Sequence, residues 1–319
     1  MADDVSRIHQ LMMVSGGVAS RSTLLSLGAT ARMIDRARSA QILQSVRRGI
    51  YASAEADLDQ RRAVRLGGKV ACLSALRRHR IWAGTDTRLH VCVRRSAHDL
   101  HIDEAARVGA PATIQRSDTN FIADRGAPRV HWQRSELREL ESPSYQGDWL
   151  MPPLISLRQA VVCQNEEHAI ASIDSALRTR FVTEAQIDRL FTQLPARLRH
   201  LRAEIDATAD SGNETVVRVR LRRAGFVVET QFPIPGTSKF DLLIDGVVTL
   251  DVDSKRWHGD DGQISWDFDK TLCSFAAGLP SLRILPRHIY ESWPRTLAII
   301  SRTVFEAKEL RDFRRMRPR

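Results

Sequence analysis

The hydrophobic pattern opens helical. Ile8, Leu11 and Met12 recur at the spacing of one helix face, and Gly16-Gly17 ends the run. Ser20 offers an N-cap for a short second helix through Leu27, Gly28 makes a turn, and Ala29 to Ser39 predicts a third helix with Met33, Ile34 and Ala37 inward. Gly between two short helices is a helix-turn-helix signal. Ile42 to Tyr51 then sets β-branched residues around an Arg47-Arg48-Gly49 turn, which suits a two-stranded wing. Residues 1–55 therefore predict a winged helix-turn-helix.

From 56 to 205 the pattern alternates between a helical run (Arg61 to Ile81), a strand-like Leu89 to Val93, irregular polar segments, and helical runs near Leu157 to Arg180 and Thr183 to Leu194. This predicts a mixed α/β middle region. The polar stretch Asp206 to Asn213 is the best candidate boundary. Beyond it the order is αβββαβ and a last helix. A helix runs from Glu214 to Ala224, followed by strands Phe226 to Ile234, Lys239 to Ile244 and Val247 to Asp253. A helix from Trp266 to Ala277, a strand at Leu282 to Leu285 and a helix from about Ile289 complete it. The class is α+β multidomain, with domains at 1–55, 56–205 and 206–319.

Charge sharpens the first segment. The chain of 319 residues carries 48 basic against 38 acidic side chains, a net of +10, and five of the 48 are Lys, so a coding preference for Arg accounts for the total as well as a phosphate surface does. Locally the signal is clearer. Between Ser15 and Tyr51 stand Arg21, Arg32, Arg36, Arg38, Arg47 and Arg48 against the single acid Asp35. Arg32 and Arg36 are i,i+4 neighbours that can face a groove, while Arg47 and Arg48 sit at the wing tip beside a phosphate backbone. DNA is the expected partner of these four, with a protein-binding winged helix as the alternative. The hydropathy has no stretch of membrane-spanning length and no signal-peptide pattern, so a cytoplasmic protein without a membrane partner is expected.

The cysteines Cys72, Cys92, Cys163 and Cys273 are scattered, with no C-x-x-C pair, and read as reduced structural thiols. His98 and His101, three apart, read as surface residues; His131 and His168 read as isolated. Chemistry gathers at the carboxy-terminal end. Residues 251–269 hold Asp251, Asp253, Asp260, Asp261, Asp267 and Asp269 against Lys255 and Arg256. Clustered carboxylates repel, and a hard divalent cation such as Mg²⁺ makes the repulsion useful. Asp251 and Asp253 share a strand face. Asp241 on the preceding strand stands opposite Asp251 only if the loop at Asp245-Gly246 has an odd number of residues, as a type I turn with a Gly bulge supplies; a two-residue turn sets them on opposite faces. A Mg²⁺ ion held there polarises a phosphodiester, with Lys255 or His258 orienting or activating water. The other reading makes these acids turn residues and partners of surface Arg.

Several of these residues carry a resemblance. Ser211-x-x-Glu214, Arg222-x-Ala224-Gly225, Gln231, the Asp241 strand, Asp251-Val252-Asp253-Ser254-x-x-x-His258, Asp267-x-x-Lys270, Gly278 and Leu282-Arg283 resemble the small endonuclease-like domain related to very-short-patch repair endonucleases, of the PD-(D/E)XK superfamily. The resemblance implies a restriction-endonuclease-like fold, Asp241 and Asp251 as the metal pair, Asp253 and His258 as supporting residues, and Glu214 as a helix-borne carboxylate at the metal. Asp251 replaces the usual Glu, Ser254 a Gly, and Lys270 an Arg; a second register reads Asp253-Ser254-Lys255 as the D-x-K signature itself. At the front, Gly17-Val18, Leu27-Gly28 and Val46-Arg47-Arg48-Gly49-Ile50-Tyr51 resemble the winged-helix domain of AbiEi-type antitoxins and regulators. Ser156 to Ala160 is similar to that group's T-x-x-R-T-x-x-D helix start without its Asp. The two resemblances imply a DNA-binding, Mg-dependent endonuclease or, alternatively, a catalytically inactive AbiEi-like transcriptional regulator or antitoxin that binds DNA, with a homodimer as the assembly to consider.

Overall fold

The computed structural model describes residues 2–97, 100, 127–133, 147–253 and 270–316. His98, His101, Ser254, Lys255, His258 and the acids from Asp260 to Asp269 lie outside them. The chain divides into two compact units, one of Met1–Gln164 with Val182–Pro195 and one of Asn165–Phe181 with Ala196–Arg319. The expected α+β class holds at the level of mixed helices and three small sheets.

In the first unit, α1 (Ala2–Val14) buries Ile8, Leu11 and Met12 against Leu24 of α2 (Arg21–Ser26) and Ile34 and Ala37 of α3 (Ala31–Ser39). Both short helices are capped as their sequences dictate: Ser20 Oγ accepts the Thr23 N–H at 3.0 Å and Thr30 Oγ1 that of Met33 at 3.2 Å. Gly28 between them has φ +93°, open to glycine without strain. The expected two-stranded hairpin is three-stranded. β1 (Val18–Ser20) pairs antiparallel with β3 (Ile50–Ala52), and β3 with β2 (Gln44–Arg47). Three residues are too few to show a period-2 pattern, which is why β1 reads as the lead-in to a helix.

The expected helical run from Arg61 to Ile81 is broken. α4 (Leu58–Arg65) ends at Gly67-Gly68, β4 (Gly68–Val70) follows, and α5 (Cys72–Arg78) starts afresh. The break is a close approach of strands: a Cβ on Gly68 would lie 2.6 Å from the Cys92 carbonyl oxygen. β4 runs antiparallel to β5 (His90–Val93), and β5 parallel to β6 (Arg129–Trp132). Leu89, Val91 and Val93 pack on one face with Ala63, Leu66 and Val70. His90 and Cys92 alternate to the other face. The expected run from Leu157 to Arg180 is also two helices, α6 (Pro153–Cys163) and α7 (Glu166–Arg178), separated at Asn165, whose side chain caps α7.

The second unit takes α7, a 3-10 segment (Ala196–Glu204) and everything after it, so Asp206 to Asn213 lies inside it. A meander of β7 (Val228–Phe232), β8 (Phe240–Ile244) and β9 (Val248–Val252) is extended by β10 (Ser281–Ile284), parallel to β9, in the order β10-β9-β8-β7. Residues 270–276 are helical. A helix from Gly212 to Arg223, α9 once Glu184–Thr192 of the first unit is numbered α8, packs on α7 and the sheet. It is pinned by an internal ion pair. The guanidinium of Arg218, fully buried, donates to Asp174 Oδ2 at 2.7 Å, and Thr215 Oγ1 and the Asp206 N–H also donate to that carboxylate. The last helix, Trp293–Met316, buries Thr296, Ile300, Val304 and Ala307 along one stripe. Among the described residues no helix is long and apolar enough to cross a membrane.

Candidate functional site

The turn between β8 and β9 decides the carboxylates. Leu242 pairs with Leu250 and Ile244 with Val248, leaving Asp245, Gly246 and Val247 as a three-residue loop. The odd count sets Asp241 opposite Asp251, on one face of the sheet. The loop is not a type I turn, because Asp245 (φ +50°) and Gly246 (φ +66°) are both left-handed. The Asp245 side chain steadies it by accepting from the Val227 N–H at 2.7 Å and from Lys308 Nζ at 2.6 Å.

Across that face the side chains interlock. Asp251 Oδ1 accepts from the Asp241 N–H (3.3 Å) and from Lys270 Nζ (2.7 Å), and Asp241 Oδ2 accepts from the Val252 N–H (2.7 Å). Lys270 Nζ also stands 4.4 Å above the Phe240 ring centre. Glu214, buried at the start of α9, accepts the Asp210 N–H (2.8 Å) and Gln231 Nε2 (3.1 Å) on Oε2. The pairs Thr230–Leu242 and Phe232–Phe240 put Gln231 across from Asp241, so Gln231, Asp241 and Asp251 form a row over three strands. Gln231 holds φ +53°, a strained conformation for a residue with a side chain. Burial first, then the Glu214 and Asp251 charges, push the Asp241 carboxyl up to about 7; burial also raises Glu214.

Of the residues singled out from the sequence, Asp241, Asp251 and Glu214 come together. Asp253 follows at the end of β9 with Arg283 Nε 3.3 Å from its Oδ2. Lys255 and His258 lie outside the described residues. Lys270, which the sequence marks as standing in an arginine position, is the cation at Asp251. Among the arginines, Arg32, Arg47 and Arg48 are exposed, whereas Arg36 NH1 is held 2.6 Å from Asp4 Oδ2. Arg47 lies against the Gly67 turn.

A second constellation escapes the sequence. Among the described residues, one group of metal-type ligands has all its donor atoms within 4.8 Å of one another: Cys72, His90, His131 and Cys163. This set could hold a metal ion, and it corrects one expectation. His131 is not isolated, since its Nε2 is 3.0 Å from His90 Nδ1 with the rings stacked at 5.3 Å. Cys163 is a free thiol, as expected, with its Sγ 3.9 Å from the same Nδ1. The Cys72 and Cys163 thiols interact directly, which lowers the Cys163 pKa well below a free thiol's, while burial raises that of Cys72. The donors come from α5, β5, β6 and α6, so no spacing within the chain announces them. Cys72 held at φ +48° is the strained backbone position of the group.

Comparison of the chain with protein-family models and with curated proteins finds no match.

Proposed function

We propose that this protein binds DNA through a winged helix-turn-helix in its first unit and hydrolyses DNA phosphodiester bonds, with Mg²⁺, at the Glu214–Asp241–Asp251 cluster on a PD-(D/E)XK-like αβββαβ core. The observation that carries the reading is the three-residue loop, which faces Asp241 and Asp251 across adjacent strands beneath a helix-borne carboxylate.

The donor set suits the ion. All three side chains offer hard oxygens, and among the described residues Asp241 Oδ1 and Asp251 Oδ2 accept no hydrogen bond. A bound Mg²⁺ would lower the pKa of water and stabilise charge on a phosphoryl oxygen. Asp241 and Asp251 would hold it, with Glu214 behind them fixed by Gln231 and the Asp210 N–H. Lys270 offsets the Asp251 charge and keeps that carboxylate aimed across the sheet. Asp241 must shed its proton before it can serve, so its raised pKa ties ion binding to pH.

Support for the DNA-binding part is the exposure of Arg32, Arg47 and Arg48 in a segment almost without acids. Incubation of supercoiled plasmid with Mg²⁺ and the full chain, beside Asp241→Asn and Asp251→Asn, tests the proposal. Nicking that falls at least 100-fold in both variants while gel-shift affinity stays within about threefold is the expected outcome. Absence of nicking by the parent chain, or equal nicking by all three proteins, overturns it. Sequence-specific binding without cleavage is what the regulator or antitoxin reading predicts; Lys270 already neutralising Asp251 favours that second reading.

A further inference from the structure

We propose that Cys72, His90, His131 and Cys163 form a closed, four-ligand structural zinc site that clamps α5, β5, β6 and α6 of the first unit. Nothing in the nuclease reading requires it, and neither stands or falls with the other.

The distances are those of one ion. Ligand atoms about 2.0–2.3 Å from a tetrahedral centre stand roughly 3.3–3.8 Å apart. Here His90 Nδ1 and His131 Nε2 are 3.0 Å apart, Cys163 Sγ and His90 Nδ1 are 3.9 Å apart, and no pair in the set exceeds 4.8 Å. A two-iron cluster held by two Cys and two His divides its ligands between two metals, which this tight grouping does not accommodate. Two thiolates with two imidazoles are the soft and borderline donors of structural zinc, and a hard cation such as Mg²⁺ is poorly served by them.

The surroundings hold the donors in place. The Ala71 N–H donates to the His90 carbonyl (2.9 Å) and the His90 N–H to Ser74 Oγ (2.9 Å), which ties the start of α5 to the start of β5. Gln159, one turn before Cys163 on α6, accepts the Cys72 N–H at 3.1 Å and so sets the two cysteines side by side. Parallel register puts His131 beside Cys92, on the same sheet face as His90. Among the described residues the remaining ring nitrogen of His90, Nε2, is buried with no hydrogen-bond partner, 3.5 Å from Asp86 Oδ2. Asp86 is gripped by Arg88 through both oxygens, at 3.0 and 2.7 Å. A carboxylate this close to the distal nitrogen is placed to become the hydrogen-bond partner that metal-bound histidines usually have, which would set the tautomer with Nδ1 toward the ion.

A catalytic thiol is the competing use of these groups. It needs a thiol open to substrate; Cys72 and His90 are fully buried and Cys163 and His131 half-buried, so two of the four donors have no such opening, whereas an ion uses all four. Zinc binding displaces the proton of each thiol to solvent and takes both imidazoles neutral, so occupancy rises with pH.

Elemental analysis of the full chain, purified under reducing conditions after growth with zinc, reads the site directly. About one zinc per chain is expected, falling below roughly a tenth in Cys72→Ser/Cys163→Ser and remaining near one in His131→Cys, whose thiolate substitutes for imidazole. Replacement by Co²⁺ in the parent chain adds a readout that no variant's misfolding can obscure: intense tetrahedral d–d absorption with a thiolate-to-cobalt charge-transfer band. A parent chain that stays metal-free after zinc exposure, zinc undiminished in the double Ser variant, a pale octahedral cobalt spectrum, or an iron–sulfur chromophore would each overturn the proposal.

Discussion

Replacing Asp241 with Asn removes one negative charge from a place where the fold makes charge costly. The carboxyl titrates near 7 in the folded chain against 3.8 for an ordinary Asp, because it is desolvated and faces Glu214 and Asp251. A raised acid binds its proton more tightly when folded, so its contribution to stability is complete below the unfolded value and is lost as pH climbs through the folded one. The full swing is roughly 4 kcal/mol at 1.36 kcal/mol per pKa unit, and about 2 kcal/mol of it falls between about pH 5.5 and pH 8. Asn mimics the protonated carboxyl and its oxygen can still accept the Val252 N–H, so the variant lacks this slope. Denaturant unfolding of both chains in EDTA is the assay. The variant should gain on the parent by about 2 kcal/mol on moving from about pH 5.5 to pH 8, and excess Mg²⁺ should restore the parent alone, by about 2.7 kcal/mol at 100 times its dissociation constant. Parallel pH profiles for the two chains would show that the Asp241 environment does not store repulsion, and the argument linking this carboxylate to a cation would go with it.

Two further outcomes follow from other parts of the chain. Asp174→Asn should cost about 3 kcal/mol in thermal or denaturant unfolding, because it leaves the fully buried Arg218 guanidinium only the more distant Asp206 carboxylate, 3.8 Å away; burial lifts Asp174 itself to about 6 despite its partner, so the paired change Asp174→Leu with Arg218→Met should recover most of the loss. Arg32→Ala and Arg48→Ala should each weaken DNA binding across sequences and reduce the log–log salt slope by about 1, whereas Asp4→Asn, which releases Arg36 from its ion pair, should tighten binding in the same gel-shift titration.

What the sequence made legible was local. The cap at Ser20, the Gly28 turn and the run of short strands after Ala224 are written in neighbouring residues, and each stands within a residue or two of where the pattern put it. The alignment of Asp241 with Asp251 was legible as a condition, since parity across a hairpin turns on one loop residue. The helical run from Arg61 to Ile81 misled because its apolar period continues through Gly67-Gly68. Only the approach of the Cys92 carbonyl, 25 or so residues away, explains why those glycines end a helix.

The Cys/His group marks where such reading runs out, and the reason is physical rather than statistical. Zinc ligands announce themselves in sequence when one turn supplies two of them; here each of four elements supplies one, and the elements meet only because Val70, Val91 and Val93 bury one sheet face and drive His90 to the other. The same logic governs Asp174 and Arg218, 44 residues apart and joined by the packing of α7 on α9. Charge in this protein is therefore a poor guide taken as a sum and a good one taken by environment. Arginines that stay in water outside the acid-paired Arg36 can serve a polyanion, while ionisable groups that folding removes from water need a partner on the spot or keep their protons: Asp174 has a guanidinium, and the two sites proposed above would give Asp241 and the Cys72–Cys163 pair a cation.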